Sequence, residues 1–106
     1  MDFKNGHKLY VRVDSKIGEK GLTNQDYQDH FAYVENIASE RYLLGGGFSN
    51  VDGGMLLFEA ENLEDAQRVA FGDPIIAKGY YKCDVFEWIL KILSVNIGTN
   101  SREKRR

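Results

Sequence analysis

The sequence predicts an α+β fold: a ferredoxin-like βαββαβ unit, with a four-stranded antiparallel sheet and two helices on one face. Four short apolar segments alternate or run together as strands do, and two segments between them repeat their apolar residues at helical spacing. Turn and capping residues separate these segments in the order strand, helix, strand, strand, helix, strand. A domain most often runs to about 100–150 residues. Residues 1–106 are therefore read as one domain, with its core at about 8–93 and a basic tail at 100–106.

The first strand comes from Lys8–Asp14, KLYVRVD, where Leu9, Val11 and Val13 share one face, expected to be the buried one. Ser15–Leu22 carries two glycines and three charges and reads as a loop. Thr23 then caps a helix, with the acid Asp26 three residues on. Tyr27, Phe31, Val34 and Ala38 follow as its apolar stripe, widened by Ile37, and the helix is expected to end near Glu40.

Tyr42–Ser49, YLLGGGFS, is strand-like despite its glycines, and Asn50–Gly53 supplies a tight turn to the next strand. That third strand, Gly54–Ala60, is apolar nearly throughout and so expected to be covered on both faces. Asn62 caps a second helix with Glu64 and Asp65 in its first turn, where carboxylates meet the positive end of the helix. Leu63, Ala66, Val69 and Ala70 form its apolar face, and Gly72 can end it. Asp73-Pro74 reads as cap and first position of one more short turn, PIIAKG, before a long final strand from Tyr80 to about Leu93.

Composition narrows the class. An apolar fraction of 42% and a charged fraction of 28% are ordinary for a soluble globular domain. Net charge is −2, which argues against a nucleic-acid partner. Arg102–Arg106 alone carry +3, a short basic terminus read as solvated. Cys83 stands alone, so neither an internal disulfide nor a paired-cysteine metal motif is possible. No stretch approaches the ~18 apolar residues of a membrane span, and the N-terminus lacks the apolar run of a signal peptide. A cytoplasmic setting is the expectation.

The fold leaves function to site chemistry. An RNA-recognition sheet needs a basic residue and spaced aromatics on its third strand, which GMLLFEA lacks. Gly45-Gly46-Gly47 is no phosphate loop, because no helix follows it. Those glycines mark a close approach of backbone or of ligand. His30 falls on the border of the first helix's apolar stripe, a place for a structural imidazole or for a proton-transfer group. Asp73 has a sufficient reason to exist as a helix cap, and its local context does not choose between cap and catalyst.

Taken together, LYV on the first strand, HFAYVENIASERYLLGGG from His30, and NLEDAQRVAFGDPIIAKGYY resemble the YciI-like (YCII-related) family of the dimeric α/β-barrel superfamily. The family pattern places a histidine in the first helix, a Leu-Leu-x-x-Gly strand about a dozen residues later, and Asp-Pro after the second helix. His30, Leu43–Gly47 and Asp73-Pro74 match it here. Phe48, where the pattern often has proline, departs from it, and the basic tail lies outside it.

The resemblance implies His30 and Asp73 as a candidate active-site pair, and it implies lyase- or dehydrohalogenase-type chemistry in some relatives. His30 is the expected general base, with Asp73 fixing its tautomer. Tyr10, Arg12, Gly46 and Phe48 are expected to contact a small cyclic or keto-acid substrate. No cofactor and no metal are expected. The same pocket on a non-catalytic binding or structural module is the competing reading. The sheet face opposite the helices calls for a cover, and a second copy forming a homodimer, a dimeric α/β barrel, is the expected one.

Overall fold

The computed structural model describes residues 6–94. Its elements run β1 (Lys8–Lys16), α1 (Asn24–Glu40), β2 (Leu43–Gly47), β3 (Gly53–Phe58), α2 (Leu63–Phe71), α3 (Pro74–Ala77) and β4 (Tyr81–Ile89). The sheet has the order β2-β3-β1-β4 and every neighbouring pair is antiparallel. This is the α+β, ferredoxin-like arrangement that the sequence predicts. The predicted basic tail lies outside the described residues.

Local chemistry explains where the helices begin. Thr23 stays extended and its hydroxyl accepts from the Asp26 amide, while the Asp26 carboxylate accepts from the Thr23 amide, a complete capping box. The Asn62 side chain accepts from the Asp65 amide at 2.8 Å to start α2. Pro74 opens α3 behind its cap, Asp73, whose carboxylate accepts from the Ile75 amide at 3.1 Å. At the β2–β3 turn Gly53 takes φ +144°, and a Cβ there would collide with the Asp14 carbonyl oxygen. Only glycine fits that turn.

Three expectations need correction. β1 is longer than predicted, because Ser15 and Lys16 pair with Lys82 and Tyr81 of β4 instead of entering a loop. The side of β1 facing the helices is Tyr10, Arg12 and Asp14, not Leu9, Val11 and Val13. Tyr10 packs with Phe58, Ala66 and Val69 in the core, and Arg12 reaches Asp73 at the start of α3. A charged pair can face inward here because its polar atoms are satisfied by each other. Nor is β3 covered on both faces, since Met55, with Val13 as its β1 partner, is 42% exposed on the side away from the helices.

The face of α1 is also rotated from the predicted stripe. Tyr27 and Phe31 are 48% and 56% exposed, and Ala38 is exposed too. Val34 and Ile37 face inward as expected, but they are joined there by Asp26, His30 and Tyr33, so the inward face is shifted by up to one residue, about 100°, around the helix. Each polar group among them finds a partner below. Asp26 takes the Tyr80 hydroxyl at 2.6 Å and the Lys78 ammonium at 2.8 Å, and the Tyr33 hydroxyl donates to the Val69 carbonyl at 2.8 Å. With α1 turned this way, its aromatics stand over the glycine-rich end of the sheet with little beneath them.

Candidate functional site

The space beneath those aromatics is a cavity of about 430 Å³. Its floor is backbone from Gly45–Gly47 and Gly53–Gly54, and its walls include Tyr27, His30, Phe31, Phe48 and Tyr81. A side chain at Gly45, Gly53 or Gly54 would strike Leu56, the Asp14 carbonyl or the Gly46 carbonyl, so the glycines here allow a close approach within the sheet. Tyr27 and Phe31 stack with ring centroids 6.3 Å apart, and Phe31 lies 5.3 Å from the His30 ring. A cavity of this size with mostly apolar walls and a few polar groups is what a small-molecule site requires.

His30 and Asp73 meet at its edge. The His30 Nδ1 lies 2.8 Å from one carboxylate oxygen of Asp73 and 3.0 Å from the other. An ionised carboxylate only accepts, so Nδ1 carries the hydrogen and donates. In the neutral imidazole that leaves the lone pair on Nε2, which makes no hydrogen bond among the described residues. The His30 side chain is 19% exposed and Asp73 0%, so the acceptor behind the ring is dry while the ring itself borders the cavity.

Asp73 therefore serves as helix cap and as imidazole acceptor at once. It also takes Arg12 Nη1 at 3.0 Å. Burial works to raise its carboxyl, but the hydrogen bond to His30 and the charge of Arg12 outweigh that and hold it below the usual carboxylate range. Arg12, 1% exposed, donates its other two contacts to Asp14, from Nε at 2.7 Å and from Nη2 at 2.8 Å. The result is a continuous chain, His30–Asp73–Arg12–Asp14, whose two ends, His30 and Asp14, both line the cavity.

The residues expected to contact substrate divide accordingly. Gly46 and Phe48 line the cavity. Arg12 does not reach it and instead stands behind Asp14 and Asp73. Tyr10 is sealed in the core beside Phe58, its hydroxyl 3.4 Å from Glu87, and does not line the cavity either. Asp14, Asp52 and Tyr81 are lining residues that the sequence reading did not single out. Tyr81 donates to Asp52, and burial together with that bond pushes its phenol up to about 12, so it remains a donor. Asp14 was signalled by alternation alone, two residues from Arg12 on the same side of β1.

Cys83 is half-buried and burial pushes its thiol up, which leaves it a weak nucleophile. Among the described residues no group of three or more His, Cys, Asp or Glu is placed to hold a metal ion. No helix among them is long and apolar enough to cross a membrane.

The YCII-related domain family matches residues 10–89 of the chain. A protein of Bacillus subtilis (strain 168) described as "Uncharacterized protein YjpA" is 33% identical over 84 residues, covering 78% of this chain and 99% of the relative. The chain belongs to the YCII-related family, and the matched span holds every element from α1 to β4 and all of β1 but its first two residues.

Proposed function

We propose that this member of the YCII-related family is a small enzyme that moves a proton on a compound bound in the cavity, with His30 as the general acid–base and Asp73 as its positioning residue. The observation that carries this reading is the orientation of one imidazole. Its Nδ1 is tied to a buried, ionised carboxylate, and the remaining nitrogen belongs to a ring that borders a cavity. The neutral ring accepts a proton at Nε2, the Asp73 carboxylate steadies the cation formed, and the same nitrogen returns the proton later in the cycle. In removal of H–X from a ring His30 takes the C–H proton, that electron pair forms the new double bond, and X⁻ leaves with the C–X pair; in migration of a double bond the same nitrogen returns the proton to another carbon. General acid–base action of this kind contributes about 10²–10⁴-fold in rate.

The test is a turnover screen of small cyclic compounds, halogenated and unhalogenated, against the wild-type chain and His30→Ala. Turnover that falls by at least about a hundredfold in His30→Ala supports the role; equal turnover in the two proteins removes it.

A second observation favours a homodimer as the working form. Val11, Val13, Leu44, Met55, Leu57, Phe86 and Trp88 lie on the sheet face away from the helices, and Leu44, Met55, Phe86 and Trp88 are all exposed there. Two copies packed through these faces bury an interface of ~1,600 Å² or more. Sedimentation is expected to give a dimer at micromolar concentration, and a monomer there refutes this arrangement. The expected setting is the cytoplasm, where the single thiol of Cys83 stays reduced.

A further inference from the structure

The charge inventory of the cavity selects its ligand. Among the described residues its lining holds two carboxylates, Asp14 and Asp52, one imidazole, His30, and no lysine or arginine. The cation nearest in the hydrogen-bonded chain, Arg12, is 1% exposed and all three of its contacts go to Asp14 and Asp73. It cannot turn to meet a ligand without abandoning two buried carboxylates. Lys16 lies 5.4 Å from the centre of the Tyr81 ring, but its ammonium is hydrogen-bonded to the Lys20 carbonyl and it is not part of the lining.

Asp14 is at the same time well placed to receive a donor. Arg12 occupies one acceptor position on each of its oxygens, and a carboxylate offers about two on each. Its two contacts to a sealed guanidinium fix its direction. The same cavity is lined by the rings of Tyr27, Phe31, Phe48 and Tyr81, which can cover a planar ligand.

Resting on the reading of this cavity as the substrate site, we propose that it takes an uncharged ring compound bearing a hydroxyl or amide donor, with Asp14 as the acceptor that orients it, and that it rejects rings carrying a carboxylate or phosphate. The keto acids admitted by the sequence are thereby set aside. The discrimination follows from Coulomb's law. One fixed carboxylate ~6 Å from a ligand anion weakens binding about 3- to 100-fold across the effective dielectric range of a protein surface. Asp14 is only partly offset by Arg12, which it shares with Asp73, and Asp52 has no cation partner among the described residues, so at least about tenfold is the expectation.

The experiment compares 4-hydroxybenzamide with 4-hydroxybenzoate, which match in size and differ in charge. Each is titrated into the wild-type chain, Asp52→Asn and His30→Ala at pH 7.5 and low salt, followed by amide chemical shifts. In the wild-type protein the benzamide is expected to bind at least about tenfold tighter, with shifts centred on Gly46, Phe48 and Asp14. Asp52→Asn, an exposed change that leaves the Arg12 chain intact, is expected to narrow the gap about threefold or more. Equal or tighter binding of the benzoate, no binding of the benzamide at millimolar concentration, or a gap unchanged in Asp52→Asn overturns the proposal. The catalytic reading fails separately: it falls if His30→Ala turns over normally, whatever the binding preference.

Discussion

Replacing Arg12 with methionine removes a cation held between two carboxylates and keeps an unbranched chain of similar reach. Three hydrogen bonds go with it, two to Asp14 and one to Asp73. Each bond to a charged group is worth about 1.5–3 kcal/mol, but they are not independent. The better guide is the cost of breaking a buried ion pair by deleting one partner, about 3–5 kcal/mol, because the carboxylates left behind stay desolvated. For a domain of this size each kcal/mol is worth about 4–8 °C in Tm, so Arg12→Met is expected to lower Tm by ~12 °C or more. Chemical denaturation at a series of pH values tests the cause. In the wild-type chain the folded-state pKa of Asp73 is depressed, so its contribution is present above the unfolded value of about 3.9 and is lost as pH falls through the lower folded value. Without Arg12 the burial of Asp73 is less opposed and the folded carboxyl takes up a proton more readily. The stability gap between variant and wild type should therefore be widest near pH 7 and narrow toward pH 4. A loss under ~1 kcal/mol, or a gap that does not narrow with acid, refutes the claim that Arg12 offsets the charge of this buried pair.

Asp73→Asn is expected to keep α3, since asparagine caps about as well as aspartate, while activity falls about 10²–10⁴-fold because the amide cannot steady the imidazolium; unchanged activity in a turnover assay leaves the helix cap and the Arg12 pair as the roles of Asp73. Gly53→Ala, at φ +144° and against the Asp14 carbonyl, is expected to cost more than ~1 kcal/mol in a denaturant melt, and a neutral result argues against the tight β2–β3 turn.

Much of the fold was legible because its signals are local. Thr23, Asn62 and Asp73 announce three helix starts through side chains that bond amides two or three residues away. The His30–Asp73 relation was reached through the order and spacing of family motifs. What the sequence hid depends on partners distant along the chain. Counting apolar residues put Tyr27 and Phe31 on the inner face of α1, because Asp26, His30 and Tyr33 look like surface residues until Tyr80, Asp73 and the Val69 carbonyl are known to lie beneath them. β1 misled in the same way. Arg12 and Asp14 belong with solvent by residue type, and only Asp73, sixty-one residues beyond Arg12, makes their burial affordable.

The polar underside of α1 bears on how the molecule breathes. Apolar burial is indifferent to small rotations of a helix, whereas bonds from Asp26 to Tyr80, His30 to Asp73 and Tyr33 to Val69 hold only in one orientation. All three run to the segment from Val69 to Tyr80, and none runs to the sheet. α1 is thus fastened like a bar on three rivets to one strip of chain, with Ile37 packed on the core but a cavity beneath Tyr27 and Phe31. In native-state hydrogen exchange its amides are expected to open together, at a lower free energy than those of the central strand β1, which is paired on both sides. Such an opening separates His30 from Asp73 and uncovers the cavity in a single motion, so that entry of a ligand and loss of the imidazole's alignment are the same event seen from two sides.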